Sequence, residues 1–147
     1  MFQNIRLLEE NDYYKGYLDL LSQLTQVGTI GYPKFCSTLN HIRQNSANHQ
    51  IWVIPNIDNT KILGSGTLLI EPKFIHNCGS VGHIEDIVVA DSARGLGLGQ
   101  MIVQHLIAQA SQNSACYKIS LYCKPELAMF YQKSNLIPKD VQMVLYL

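Results

Sequence analysis

The chain has 147 residues, 47% of them hydrophobic, which suffices for one domain with a single core. Eleven Lys and Arg residues balance eleven Asp and Glu residues, so the formal net charge is zero. Proteins that bind nucleic acids or membrane surfaces usually carry a basic stripe, and because none is present we expect neither partner. No apolar run approaches the roughly 20 residues of a membrane span, and the first residues lack the apolar core of a secretory signal, so we expect a cytoplasmic protein.

Four cysteines are scattered along the chain without a Cys-x-x-Cys pair, namely Cys36, Cys78, Cys116 and Cys123. This spacing favours neither a zinc site nor a disulfide framework, and we expect no bound metal. Because free cysteines are usually buried, we predict that all four are buried thiols.

The N-terminal half predicts alternating helices and strands. Apolar residues at helical spacing indicate two helices, of which the first has Asp12 as its N-cap and the second has Pro33 in its first turn. An Asn-rich turn then joins two strands in a hairpin. The predicted elements are a strand over residues 5–9, helices over 12–26 and 33–43, and strands over 49–54 and 61–70.

The C-terminal half continues the pattern without a repeat, linker or low-complexity segment. Its predicted elements are a strand over residues 82–89, a helix over 97–111, a strand over 117–123, a short helix over 125–133 and a last strand over 141–147. This order predicts a mixed α/β (α+β) domain spanning residues 1–147, in which helices flank a central and largely antiparallel sheet.

The most informative segment runs from Asp86 to Gly99, where a buried strand leads into a glycine turn and then a helix. Gly95, Gly97 and Gly99 allow positive φ angles and a close approach of backbone amides to a ligand. The start of the helix adds partial positive charge, and Arg94 adds a permanent cation. The turn therefore predicts a pyrophosphate-binding site, with a merely tight turn as the alternative.

Two common phosphate-binding turns fit this segment poorly. A P-loop requires Gly-Lys followed by Ser or Thr, whereas Gly99 is followed by Gln100 and Met101. A Rossmann fingerprint opens the first βαβ unit and has an acidic residue after its second strand. Here the turn lies two-thirds of the way along the chain, and the next predicted strand ends in Tyr122 and Cys123.

The turn resembles the acyl-CoA loop of the GNAT superfamily of N-acetyltransferases, whose pattern is Arg or Gln, two residues, Gly, one residue, and Gly or Ala. Arg94, Gly97 and Gly99 match this pattern in full. Four other segments are similar, in the same order, to the glucosamine 6-phosphate N-acetyltransferase family: residues 25–29, 82–87, 116–119 and 130–133. The resemblance implies the GNAT fold, in which the fourth and fifth strands splay apart to admit acetyl-CoA.

This resemblance also implies an activity. The acetyl group of acetyl-CoA passes to the amine of D-glucosamine 6-phosphate and gives N-acetyl-D-glucosamine 6-phosphate, a step toward UDP-N-acetylglucosamine. Positioning of two reactants can lower a barrier by about 7–11 kcal/mol, so the amine can attack directly and an acetylated Cys123 is the less favoured alternative. Family members are homodimers with shared active sites, and the apolar last strand suits such an interface.

For acetyl-CoA, the resemblance implies that strand amides cradle the acetyl and pantetheine groups, where they also stabilise the developing oxyanion, and that the turn holds the diphosphate. Tyr131 is implied as the acid that protonates the departing thiolate, with a core aromatic as the alternative, and Phe130 is assigned to the core. The implied cofactor-binding residues are Ile87, Val88, Val89, Arg94, Gly95, Leu96, Gly97, Leu98, Gly99 and Tyr131.

For the acceptor, Glu85 and Asp86 are the candidate acids. As neighbours on a strand they should face opposite sides of the sheet, so we do not expect a carboxylate dyad. The resemblance implies that both contact the amino sugar and that Glu85, or a water it orients, accepts the ammonium proton. We expect His83 to be structural. The implied acceptor-binding residues are Thr25, Lys73, His76, Glu85, Asp86, Ile87, Tyr117, Lys118 and Tyr122.

Two positions depart from the family's pattern. Tyr122 stands where the family has an acidic residue, and Tyr146 stands where it has a basic residue in the last strand. A phenol can replace the hydrogen bond of a carboxylate but not its charge. These departures leave two alternatives open: a GNAT enzyme that acts on another small amine or a protein amine, and a non-catalytic acyl-CoA-binding sensor.

Overall fold

A computed structural model describes all 147 residues. A five-stranded sheet with the order β1-β2-β3-β4-β5 lies at its centre. Its strands are β1 (Arg6–Leu7), β2 (His49–Pro55), β3 (Ile62–Pro72), β4 (Ser80–Val89) and β5 (Cys116–Leu121). Neighbours from β1 to β4 are antiparallel, whereas β4 and β5 are parallel. The predicted mixed and largely antiparallel sheet is confirmed.

Helices surround this sheet. They are α1 (Tyr17–Leu21), α2 (Tyr32–Arg43), α3 (Ile75–Cys78), α4 (Leu98–Ser111) and α5 (Ala128–Gln132). Short 3-10 helices precede three of them, at Glu10–Lys15, Asp91–Ala93 and Pro125–Leu127. Not one of the helices combines the length and the apolar character needed to cross a membrane.

Helix α4 packs closely on β3 because a glycine lies beneath it. A Cβ on Gly66 would lie 2.6 Å from Ile102 Cγ2 and 2.6 Å from Ile87 Cδ1, which leaves no room for any side chain. The buried face of the helix consists of Leu98, Ile102, Val103, Leu106 and Ala110. This packing fixes the position of the first turns of α4. It thereby also fixes the glycine turn that connects β4 to α4.

The predicted helix over residues 12–26 is interrupted. A 3-10 helix ends at Gly16, whose φ of 75° is left-handed, and only then does α1 begin. Asp12 is not the N-cap of a long helix, because it lies inside the 3-10 helix and is fully buried. Its two carboxylate oxygens accept hydrogen bonds of 2.7 and 2.8 Å from Arg6, and Lys15 Nζ lies 3.0 Å away.

The predicted last strand over residues 141–147 is absent. This segment has no regular secondary structure, and its apolar side chains are exposed, including Val141 at 85% and Met143 at 88%. A strand requires a neighbour that supplies hydrogen bonds and a surface that buries its side chains, and the segment finds neither within the chain.

The prediction of buried cysteines is wrong. All four are free thiols, and Cys36 and Cys116 are half-buried, whereas Cys78 and Cys123 are exposed. Cys78 ends α3, a single exposed turn whose backbone is left-handed from His76 to Cys78, and Cys123 follows the end of β5, so neither position lies within the packed layers.

Candidate active site

The sheet opens between β4 and β5. The two strands pair only as far as Ile84 and Leu121, while β4 continues to Val89 alongside β3. Residues 85–89 therefore have no strand partner on the side of β5. This gap is the opening that the GNAT resemblance implied.

A β-bulge in β4 changes the direction of the two candidate acids. The register between β3 and β4 shifts between Ser65 and Thr67, and Asp86 has a φ of 52°, a left-handed conformation that side chains rarely adopt. Glu85 and Asp86 consequently line the same cavity of about 450 Å³. The expectation that they face opposite sides of the sheet is wrong, because the bulge breaks the alternation of side chains.

The cavity lies between the sheet and helices α1 and α2, and most of its lining is apolar. Burial raises the pKa of Glu85, and the negative charge of Asp86 raises it further. Burial also raises the pKa of Tyr17, another lining residue, to about 12. A carboxylate with a raised pKa is a stronger base once ionised, so Glu85 is suited to accept a proton from an ammonium group.

The turn between β4 and α4 presents free backbone amides. Gly95 and Gly97 have φ angles of 80° and 79°, and no side chain caps α4 at Gly97. The amides of residues 95–100 donate to no backbone carbonyl. The guanidinium of Arg94 is exposed and pairs with Asp91 at 2.7 Å. Free amides at a helix start, beside a cation, suit a diphosphate.

The loop after α1 is tied to this turn. The amide of Asp91 donates to Gln23 Oε1 at 3.0 Å, which holds the loop that contains Thr25 beside the turn. Thr25 itself is exposed and free to contact a ligand.

Tyr131 lies half-buried on α5, where it lines a second cavity of about 820 Å³ together with Lys118, Tyr122 and Cys123. Burial raises the pKa of Tyr131, and the nearby Cys123 raises it further. The phenol therefore stays protonated at neutral pH, as an acid must. Phe130 stacks edge-on against it, with ring centroids 4.9 Å apart.

Three of the remaining acceptor candidates, Lys73, His76 and Tyr117, lie around the turn that contains Gly79. Lys73 follows the end of β3, and its Nζ lies 2.5 Å from Glu71 Oε1. His76 stacks on Tyr117, with ring centroids 3.9 Å apart. Thr25, Lys73 and His76 line neither of the two cavities. The candidate phosphate ligands are therefore divided between the second cavity, which Lys118 lines, and positions outside both cavities.

Sequence reasoning missed a polar network that connects Lys73 to Glu71, His83 and Ser120. Its members after Lys73 come from three different strands. They meet only through the register of the sheet, so no spacing along the chain could reveal the network.

Known proteins resemble this chain over most of its length. The Acetyltransferase (GNAT) family profile matches residues 10–134. Glucosamine 6-phosphate N-acetyltransferase 1 of Oryza sativa subsp. japonica is 39% identical over 142 residues, which cover 97% of this chain and 86% of that protein. The glucosamine 6-phosphate N-acetyltransferase of Candida albicans is 40% identical over 139 residues, which cover 95% of this chain and 92% of that protein.

A crystal structure of glucosamine-6-phosphate N-acetyltransferase from Arabidopsis thaliana has a TM-score of 0.95 and 39% identity, and covers 99% of this chain and 98% of that one. The family match includes the strand gap, the bulge, the glycine turn and α5. The chain belongs to the GNAT family of acetyltransferases.

Proposed function

We propose that this protein transfers the acetyl group of acetyl-CoA to the amine of D-glucosamine 6-phosphate and forms N-acetyl-D-glucosamine 6-phosphate and CoA. The observation that carries the proposal is the bulge of β4. Because of this bulge, both Glu85 and Asp86 line one cavity beside the strand gap. The names of the relatives from Oryza sativa and Candida albicans support the acceptor. The cytoplasmic location expected from the sequence stays part of this proposal.

The glycine turn fits the diphosphate of acetyl-CoA, because the amides of residues 95–100 are free and Arg94 lies beside them. The unpaired edge of β4 over residues 87–89 fits the pantetheine arm, whose amides need hydrogen-bond partners. When bound there, acetyl-CoA supplies a thioester as the acetyl donor.

Three side chains bind the ammonium group or transfer protons during the reaction. Asp86 attracts the ammonium group, and Glu85 takes the proton that the amine loses, either directly or through a water molecule. Tyr131 gives its phenolic proton to the departing sulfur, and the second proton that the nitrogen loses as the amide forms restores the phenol. An enzyme nucleophile is unnecessary, because the amine itself forms the new bond to the acetyl carbon as the carbon–sulfur bond breaks.

The phosphate of the acceptor needs cations and hydroxyl donors. We assign these roles to Lys73, His76, Lys118 and Thr25, with Tyr117 and Tyr122 beside them. Because Thr25, Lys73 and His76 line neither cavity of the chain, the proposal includes a homodimer in which a second copy completes each site. The exposed apolar segment over residues 141–147 and the free edge of β5 supply a surface for that copy.

Light scattering coupled to gel filtration tests the dimer. We expect a mass of two chains for the wild type and of one chain for Val144→Asp, because a charge at this exposed apolar position cannot be buried between subunits without a large cost. A wild-type protein that stays monomeric at micromolar concentration would remove the dimer from the proposal and leave the chemistry intact.

Thiol release from acetyl-CoA in the presence of different amines tests the acceptor. We expect kcat/KM to be at least about 100-fold higher for glucosamine 6-phosphate than for glucosamine. Glucosamine lacks the phosphate and therefore loses two charge-assisted contacts with the protein. Equal rates with glucosamine or a lysine peptide would favour another GNAT substrate. Tight binding of acetyl-CoA without thiol release from any amine would indicate a sensor.

A further inference from the structure

A continuous hydrogen-bonded network crosses three strands on one face of the sheet. Lys73 Nζ lies 2.5 Å from Glu71 Oε1, and His83 Nε2 lies 2.9 Å from Glu71 Oε2. Ser120 Oγ lies 3.2 Å from His83 Nδ1. These three contacts join β5, β4, β3 and the residue that follows β3. Their lengths are those of hydrogen bonds between polar or charged groups.

The register of the sheet fixes this network. His83 lies directly opposite Ser120 in the parallel pair of β4 and β5, and opposite Leu69 in the antiparallel pair of β3 and β4. Glu71 is two residues beyond Leu69 and therefore shares its face, so its side chain reaches the diagonal neighbour His83. The positions of these groups depend on regular strands rather than on a loop.

His83 uses both of its ring nitrogens within the network. Nε2 faces a carboxylate, which can only accept, so the hydrogen-bond pattern assigns the proton to Nε2. Nδ1 then accepts from the hydroxyl of Ser120. No nitrogen of His83 is left to bind a ligand, so the ring can act only by holding other groups in place.

Glu71 is the centre of the network. The hydrogen bond from Lys73 lowers the pKa of this exposed carboxyl, and the contact with His83 lowers it further. Glu71 is thus ionised at neutral pH, with one oxygen fixed by His83 and the other accepting from Lys73. A carboxylate fixed in this way restrains the ammonium group of a lysine whose four-carbon stem is otherwise flexible.

We propose that His83 and Glu71 are positioning residues that orient Lys73 toward the phosphate of the acceptor and so help to select a phosphorylated amino sugar. This inference rests on the proposed function. Lys73 uses one ammonium hydrogen on Glu71 and keeps two for phosphate oxygens. Restraint of the side chain before binding lowers the entropy lost on binding.

The network lies on the same strand as the proposed base. Glu85, which faces the amine, lies two residues from His83 on β4 and on the same face of the sheet. The residue that orients Lys73 and the residue that we propose as the base are therefore two positions apart on β4.

Steady-state kinetics of His83→Ala test the inference, with calorimetric binding of glucosamine 6-phosphate to the enzyme without acetyl-CoA as a second measurement. We expect KM and Kd for glucosamine 6-phosphate to rise about tenfold, the equivalent of one lost hydrogen bond of this class. We expect kcat to stay within about twofold and KM for glucosamine to stay unchanged. His83→Gln should restore most of the affinity, because its side-chain amide can donate to Glu71.

A double-mutant cycle with Lys73→Ala shows whether His83 acts through Lys73. In the Lys73→Ala protein, His83→Ala should add no more than about a twofold effect, since the group to be oriented is gone. His41→Ala is the matched control, because His41 is exposed on α2 and outside the network. This control should leave both acceptors unaffected.

Several results would overturn the inference: an unchanged calorimetric Kd in His83→Ala, equal losses for glucosamine 6-phosphate and glucosamine, a full effect of His83→Ala without Lys73, or no effect of Lys73→Ala itself. If His83→Ala does not fold, His83→Gln replaces it in the test, and loss of most of the affinity for glucosamine 6-phosphate in that variant would overturn the inference. Absence of thiol release from the wild type with glucosamine 6-phosphate would instead reject the proposed function, and calorimetry still decides the role of His83.

Discussion

Phe130 packs directly against Gly99, where an added Cβ would lie 3.1 Å from Phe130 Cζ. This contact joins α5, which carries Tyr131, to the first turn of α4. The free amides of that turn are the groups we propose for the diphosphate. One packing contact thus couples the placement of the proposed acid to the placement of the cofactor turn.

Gly99→Val should disturb both the position of Tyr131 and the glycine turn that we propose for the cofactor. The larger side chain must displace Phe130, and a shift of the neighbouring Tyr131 by about 1 Å can reduce turnover by tenfold or more. We therefore expect a lower kcat together with a higher KM for acetyl-CoA, measured by thiol release. Gln104→Ala, at an exposed position of α4, is the control and should behave as the wild type. An unchanged kcat would show that the contact does not position Tyr131.

Tyr131→Phe removes the proposed acid but keeps the ring. Loss of general acid catalysis should reduce kcat by about 100-fold, while Kd for acetyl-CoA changes less than about twofold. Because the pKa of Tyr131 is raised above 10, wild-type turnover should decline on the alkaline side only above that pH. The variant should lack this decline. Tyr14→Phe, at a 70% exposed position, is the control, and unchanged turnover in Tyr131→Phe would remove the acid role.

Glu85→Gln tests the proposed base. Only the ionised carboxylate can accept a proton, so wild-type kcat/KM should fall as the pH drops through the pKa of Glu85, which is raised above 4.5 by burial and by Asp86. Asp86→Asn should move this decline to lower pH, and asparagine tolerates the left-handed backbone of the bulge. Glu85→Gln should lose about 100-fold in kcat, with the exposed Glu126→Gln as control. An acid-side decline that persists in Glu85→Gln would assign it to another group.

Asp12→Asn should destabilise the fold without altering the chemistry. Burial alone would raise the pKa of Asp12, but the hydrogen bonds from Arg6, the Glu9 amide and Lys15 lower it below 3.8. Because the folded-state pKa is lowered, the stabilisation is fully present above the unfolded pKa and is lost as the pH falls through the folded value.

Urea denaturation at pH 7 measures the size of this effect. Removal of the charge leaves Arg6 and Lys15 without their buried partner, and we expect a loss of about 3–5 kcal/mol in the free energy of unfolding. Asp58→Asn, at an exposed position, should change stability by less than about 0.5 kcal/mol. Equal stabilities of the two variants would contradict the structural role of Asp12.

The features that the sequence predicted are those set by local patterns. The glycine turn, the helix after it and the order of the central strands follow from glycine spacing and from the period of apolar residues. The helix over residues 12–26 was predicted too long, because Gly16 fits a helical period while its left-handed backbone ends one helix and precedes the next. The spacing of apolar residues does not indicate whether a glycine within the pattern has a left-handed backbone.

The features that could not be predicted depend on which strands are neighbours. The shared direction of Glu85 and Asp86 requires the bulge opposite Ser65 and Thr67, which lie some twenty residues earlier in the chain. The network around His83 requires two registers at once. The segment over residues 141–147 has the composition of a strand, but composition does not say whether its partner belongs to the same chain.

The close contact between Ile102 and Gly66 limits which substitutions this protein tolerates. Even a methyl group at Gly66 would lift the start of α4 and shift the amides that follow Arg94, so folding and ligand affinity are expected to decline together. Selection for thermal stability and selection for cofactor affinity would therefore reject the same substitutions at this position. A library of variants at position 66 should retain glycine under either selection.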